Sequence, residues 1–128
     1  MTEKMHNILL AEDDYFIKKA YTAGLTHAGF HVFVAGDGEE AMALIKKESP
    51  DLILLDLILP KKDGFWVLQE IKTDDALKHI PVIILSNLGQ PKDITECKKL
   101  GAVDYFVKSD TPLFRLIEII KKYLQSPI

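Results

Sequence analysis

Five short apolar runs recur along the chain, and a segment with helical spacing separates each from the next. The runs lie at residues 8–11, 31–35, 52–55, 80–86 and 102–107. Apolar stretches this short, bounded by glycine, proline or acidic residues, read as strands of a sheet covered on both faces. After the first, Ile17, Ala20, Tyr21, Gly24, Leu25 and Ala28 recur at three- and four-residue steps, the inward stripe of a helix that Gly29 ends. Residues 39–48 repeat the pattern on Ala41, Leu44 and Ile45, with Lys46 and Lys47 at the negative end of the helix dipole. Residues 64–73 form a third helix on Phe65, Val67, Leu68 and Ile71. A fourth opens at Pro91 and runs to about Leu100. A fifth starts around Thr111–Pro112 on Leu113, Leu116, Ile117, Ile120 and Leu124. Strict strand–helix alternation with short loops implies right-handed crossovers and a doubly wound parallel sheet. The fold class is α/β, in the form (βα)5.

Bulk properties narrow the function. At 128 residues the chain can bury one core but not two, and only residues 125–128 follow the last helix. One domain over 1–128, with no effector domain, is expected. A net charge of -3 argues against nonspecific nucleic-acid binding, which needs a basic field. The single cysteine, Cys97, excludes an internal disulfide, fits a reducing compartment and is expected to face the core. No apolar signal segment opens the chain and no apolar run reaches membrane-spanning length, so a cytoplasmic location is expected.

In a parallel sheet the strand ends gather on one edge, where ligands bind. The first strand delivers Glu12, Asp13 and Asp14 there, the third Asp56, the fourth Ser86 and the fifth Lys108. Crowded carboxylates call for a hard divalent cation, and Mg²⁺ takes oxygen ligands. A carboxylate can act as nucleophile toward phosphorus, giving an acyl phosphate. Lys108 and Ser86 would then address phosphoryl oxygens by hydrogen bonds.

These residues carry a resemblance. Glu12–Asp13, Asp56, Leu59–Pro60, Asp63–Gly64, Ser86, Gly101–Ala102 and the run Asp104-Tyr105-Phe106-Val107-Lys108 stand in the order found in receiver domains of two-component response regulators. The chain resembles that family over almost its whole length. The resemblance implies the flavodoxin-like strand order 2-1-3-4-5. It implies that Asp56 accepts a phosphoryl group from a sensor histidine kinase or phosphotransfer protein, with Mg²⁺ as cofactor. Side chains of Asp13 and Asp56 and the backbone carbonyl of Ile58 would ligate the metal, and Glu12 would act through metal-bound water. Ser86 and Tyr105 would form the switch that reshapes a surface for a downstream protein target. Such a receiver is not an enzyme beyond phosphorylating and dephosphorylating its own Asp56. The alternatives are a receiver excised from a larger regulator or hybrid kinase, or a degenerate receiver that acts only by binding protein. No contact with nucleic acid or membrane is implied.

The chain departs from the family in places. Ser109 follows Lys108, where a proline in a cis peptide is usual. Either the bond is cis without proline, at roughly 3 kcal/mol, or the loop is rebuilt. Asn87 stands where a small residue is common, and either slows phosphorylation or adds a hydrogen bond. Ile58 and Leu88 occupy positions that in the family flank the path of the attacking water, and both are apolar, which predicts a long-lived phosphoryl state. Phe114, Ile119 and Tyr123 widen the last helix beyond its inward stripe, as a partner or phosphorylation-dependent dimer surface would. Trp66 is expected to be partly buried, and the four histidines show no ligand pattern. Two other functions fail on single positions. An aspartyl-phosphate phosphatase of the haloacid dehalogenase type needs a second acid at position 58, which is isoleucine. A flavodoxin needs a hydroxyl- and glycine-rich phosphate loop after the first strand, where this chain has three acids.

Overall fold

The computed structural model describes residues 5–125. Strands β1 (Asn7–Ala11), β2 (His31–Ala35), β3 (Leu52–Leu55), β4 (Val82–Ser86) and β5 (Asp104–Val107) pair in parallel in the order β2-β1-β3-β4-β5. Helices α1 (Tyr15–His27), α2 (Gly38–Glu48), α3 (Gly64–Lys72), α4 (Pro91–Lys99) and α5 (Leu113–Leu124) alternate with them. The expected architecture and strand order are those observed.

The period-two geometry of the strands divides the core into two layers. Leu9, Ala11, Ile53, Leu55, Val82 and Ile84 face one layer, which Ala41, Ile45, Val67, Leu68, Ile71 and Cys97 complete from α2, α3 and α4. Ile8, Leu10, Leu52, Leu54, Ile83 and Leu85 face the other, completed by Leu25 of α1 and by Leu116 and Ile120 of α5. All four residues of β3 are fully buried. Each contributes about 1.5–3 kcal/mol of transfer free energy, so β3 anchors both layers. The ladder runs on past the last apolar residue, because the Asp56 N–H donates to the Ala11 carbonyl at 3.1 Å and the Glu12 N–H to the Ala35 carbonyl at 2.9 Å. Both carboxylates are therefore carried on sheet backbone.

Side-chain caps set the helix starts. Asp14, Asp37 and Asp63 accept from the amides of Ile17, Glu40 and Trp66 at 2.9, 2.8 and 3.0 Å. Gly29 ends the first helical region with φ +99°, as expected of a residue tolerant of the left-handed region.

Several local expectations are corrected. Ala20 is exposed, because α1 buries only Leu25 completely and turns the rest of its stripe half outward. Met42 is buried in α2, while Leu44 is only partly so. β4 starts at Val82 and β5 at Asp104. Ile80 and Ala102 are buried ahead of them, but Pro81 is only half-buried and Val103 is exposed, and these two join the sheet by single bonds, Ile53 N–H to the Pro81 carbonyl and Val103 N–H to the Val82 carbonyl. α5 begins at Leu113 and not at Thr111, whose hydroxyl donates back to the Val107 carbonyl at 2.9 Å. Trp66, by contrast, is partly buried as expected, with the Lys62 ammonium 5.4 Å from its ring centroid.

Candidate functional site

The carboxyl end of β1 places Glu12 in a buried position and Asp13 in an exposed one. The third acid, Asp14, is spent as the N-cap of α1, which removes it from the cluster. At the end of β3, Asp56 is 6% exposed. Ligand oxygens of Glu12, Asp13 and Asp56 all lie within 4.8 Å of one another, the one such group among the described residues. Only carboxylate oxygens contribute, with no histidine or cysteine. That donor set fits a hard divalent cation such as Mg²⁺ and not a thiolate- or imidazole-bound metal.

Lys108, directly after β5, enters the same cluster. Its Nζ donates to Asp56 Oδ2 at 2.7 Å and pairs with Glu12 Oε1. Burial works to lower the Lys108 pKa. The hydrogen bonds and charges of Asp56 and Glu12 more than offset this, and the net direction is up. The ammonium therefore stays charged at neutral pH. The remaining oxygens are also held: Glu12 Oε2 accepts the Asp14 N–H at 3.0 Å, and Asp56 Oδ1 accepts the Ile58 N–H at 3.1 Å. That last bond folds the Ile58 backbone beside Asp56, while the Ile58 side chain is 56% exposed.

The loop after β3 is braced from below. Gly64 opens α3 so close to it that a Cβ there would lie 2.2 Å from the Asp56 carbonyl oxygen. Gly38 meets the same loop across the α2 start, its N–H donating to the Pro60 carbonyl at 3.3 Å. Lys61 at the loop tip holds φ +66°, and its ammonium lies 3.7 Å from Asp37. No side chain fits at either contact, a use of these glycines that the sequence pattern alone did not reveal.

Ser86 is fully buried at the end of β4, and its Oγ accepts the Leu88 N–H at 3.4 Å. Tyr105 of β5 is 8% exposed, and its hydroxyl donates to the Leu88 carbonyl. Ser86 and Tyr105 thus meet at one residue, Leu88, whose side chain packs half-buried against the core. Burial, with the charges of Asp93, Asp56 and a nearby Cys97, pushes the Tyr105 phenol up to about 12. Cys97 is the buried residue of α4, its thiol pushed up to about 11 by burial and then by Asp93 and Glu96.

The loop after Lys108 is rebuilt. No peptide bond among the described residues is cis, and Lys108–Asp110 form one 3-10 turn closed by Thr111 N–H to the Lys108 carbonyl at 3.3 Å. Asn87 adds a hydrogen bond, its Oδ1 accepting the Ser109 N–H at 3.3 Å. On the far side of β5, Tyr123 donates to Asp104 at 2.9 Å. A groove of about 420 Å³ opens there between Phe106, Arg115, Ile119 and Lys122. Phe114 is 71% exposed.

The profile of the response regulator receiver domain matches residues 8–121. The chain belongs to that family. The DNA-binding dual master transcriptional regulator RpaA of Synechocystis sp. is 42% identical over 104 residues, which are 81% of this chain and 43% of that protein. The phosphorylated cyanobacterial phytochrome response regulator RcpA superposes with a TM-score of 0.80 at 39% identity, covering 93% of this chain and 91% of that one. The Mn²⁺-bound form of response regulator Rcp1 superposes with a TM-score of 0.82 at 33% identity, covering 96% of each chain. The chain spans less than half the length of the curated relatives it matches. No helix among the described residues of this receiver is long and apolar enough to cross a membrane.

Proposed function

We propose that this receiver takes a phosphoryl group onto Asp56 from a histidine kinase or phosphotransfer protein and uses it to switch a protein-binding surface. The observation that carries this reading is the placement of Asp56. It lies 2.7 Å from the Lys108 ammonium and within 4.8 Å of two further carboxylates. A buried carboxylate so surrounded can attack phosphorus, while the imidazole of the donor leaves with the P–N bond electrons. Lys108 leaves its bond with Asp56 to neutralise a phosphoryl oxygen, and Glu12 keeps that ammonium charged and aimed.

Asp13 and Asp56, with the Ile58 carbonyl, would hold Mg²⁺, and Glu12 would act through bound water. Mg²⁺, when bound, supplies positive charge that offsets the crowded carboxylates and the incoming phosphoryl group. The naming of a related receiver as a Mn²⁺-bound form supports a divalent cation here as well. Ser86 then reaches the phosphoryl group by its hydroxyl. Its link to Tyr105 through Leu88 transmits the change to β5 and its neighbours. Ile58 and Leu88 present no hydrogen-bonding side chain to an attacking water, so the acyl phosphate is long-lived.

The chemistry stays on the protein's own Asp56, and no separate substrate is turned over. Exposed Phe114 and the groove by Tyr123 offer the surface for a downstream protein or for a phosphorylation-dependent dimer. The net charge of -3 favours protein over nucleic acid as the direct contact of this domain, in the cytoplasm. Incubation with acetyl phosphate and Mg²⁺, read by intact mass, should add one phosphoryl group to the protein and none to Asp56→Asn. Labelling that persists in Asp56→Asn would overturn the assignment.

A further inference from the structure

Ser86 and Lys108 end neighbouring strands, and each is followed in sequence by a residue that binds the other's successor. Asn87 follows Ser86 and Ser109 follows Lys108, and the Asn87 Oδ1 accepts the Ser109 N–H at 3.3 Å. We propose that Asn87 is a positioning residue, its side-chain amide clamping the loop after β4 to the loop after β5 so that the Ser86 hydroxyl and the Lys108 ammonium address the same phosphoryl group. The inference rests on the reading of Asp56 as phosphoacceptor.

The surrounding geometry shows why such a clamp matters. β4 and β5 are paired only as far as Ser86 and Val107, so the sheet holds the two strands but not the loops beyond. Past that point the β5 loop is tied to itself, by Thr111 to Lys108 and to Val107. The β4 loop is tied to Ser86 by the Leu88 N–H and to Tyr105 by the Leu88 carbonyl. Of the hydrogen bonds here, the Asn87–Ser109 bond alone joins the segment right after Ser86 to the segment right after Lys108. The donor is a backbone N–H, available because residue 109 is not proline. Asn87 is exposed, so its role is held by this bond and not by packing.

The test is a double-mutant cycle on Asp56 phosphorylation by acetyl phosphate, with Ser109 amide hydrogen exchange as a second readout. Asn87→Ala should slow phosphorylation about threefold, the scale of one hydrogen bond, and leave the urea midpoint unchanged. In the Ser109→Pro background, which lacks the donor, Asn87→Ala should change the rate no further. Exchange at the Ser109 amide should quicken by a similar factor in Asn87→Ala. An equal effect of Asn87→Ala in both backgrounds, a faster rate, or unaltered Ser109 exchange would each overturn the clamp. Should the unsubstituted protein take no label, the phosphoacceptor reading fails, while the exchange comparison still decides whether the clamp exists.

Discussion

Lys108 reaches from the end of β5 to within 2.7 Å of Asp56 at the end of β3 while also pairing with Glu12 from β1. One ammonium thus ties three strands together at the edge of the sheet. Its side chain is 10% exposed, and those of Glu12 and Asp56 are 3% and 7% exposed, so the cluster is largely screened from water. Removing the cation strands two buried like charges. Lys108→Met should therefore lose about 3 kcal/mol in metal-free buffer by urea denaturation. It should recover part of that with added Mg²⁺ while failing to phosphorylate at the normal rate. Equal stability of the two proteins without metal would show that the pair contributes nothing net.

The same contact predicts an alkaline limit. The Lys108 pKa is raised in the folded state, so its contribution is fully present below the ordinary lysine range and is lost as pH rises through the folded value. Tyr105 acts in the same direction: burial lifts its phenol from the ordinary value of 10.0 to about 12, so stability falls between those two pH values as the unfolded chain ionises first. Urea midpoints should fall steadily above pH 10, and less steeply in Lys108→Met. In an ultraviolet titration of the folded protein, one of the four tyrosines should ionise last, near 12, and vanish in Tyr105→Phe.

Gly64→Ala tests the brace under the phosphoacceptor loop. The added methyl would lie 2.2 Å from the Asp56 carbonyl and 2.6 Å from the Leu57 Cα, both backbone atoms that cannot swing aside. The expected cost is about 1–3 kcal/mol. A falling phosphorylation rate should accompany it, because the loop shift moves Asp56 itself. A stable, fully active Gly64→Ala protein would refute the brace.

On the proposed reading, the lifetime of the phosphoryl group should respond to Ile58 and Leu88, which stand two residues beyond Asp56 and Ser86. Ile58→Asn and Leu88→Glu each add a hydrogen-bonding group at a position proposed to flank the attacking water. Each should speed loss of the phosphoryl group about five- to tenfold, the rate equivalent of one hydrogen bond. Decay of labelled protein after removal of acetyl phosphate measures it. Rates unchanged from the parent would mean that another feature governs hydrolysis.

The strands and the doubly wound arrangement were legible in the residues because their causes are local. Four consecutive apolar residues in β3 have no polar face to offer, so only a sheet covered on both sides accommodates them. The cluster was legible for a related reason: Glu12, Asp56, Ser86 and Lys108 each follow an apolar run, and a parallel sheet sends all such ends to one edge. Adjacency blurred the rest. Asp13 and Asp14 are chemically alike in sequence, and only the path of the chain into α1 makes one an open carboxylate and the other a helix cap. Ala20 fits a helical stripe, yet α1 lies where its flank meets solvent.

Contacts between loops distant in sequence belong to the tertiary structure alone. Whether Lys108–Ser109 is cis or rebuilt, and whether Asn87 slows phosphorylation or adds a hydrogen bond, were open from the residues. The fold decides the first with a trans bond in a 3-10 turn, and it gives Asn87 a bond from the Ser109 amide. The meeting of Ser86 and Tyr105 at Leu88 is likewise a product of strand pairing. Hydrophobic periodicity and strand-end chemistry are written residue by residue, so the residues alone were enough for a parallel sheet covered on both faces and for Glu12, Asp13, Asp56, Ser86 and Lys108 at its edge. Hydrogen-bond partners across loops depend on where two separately folded ends come to rest, and only packing of the whole chain sets that.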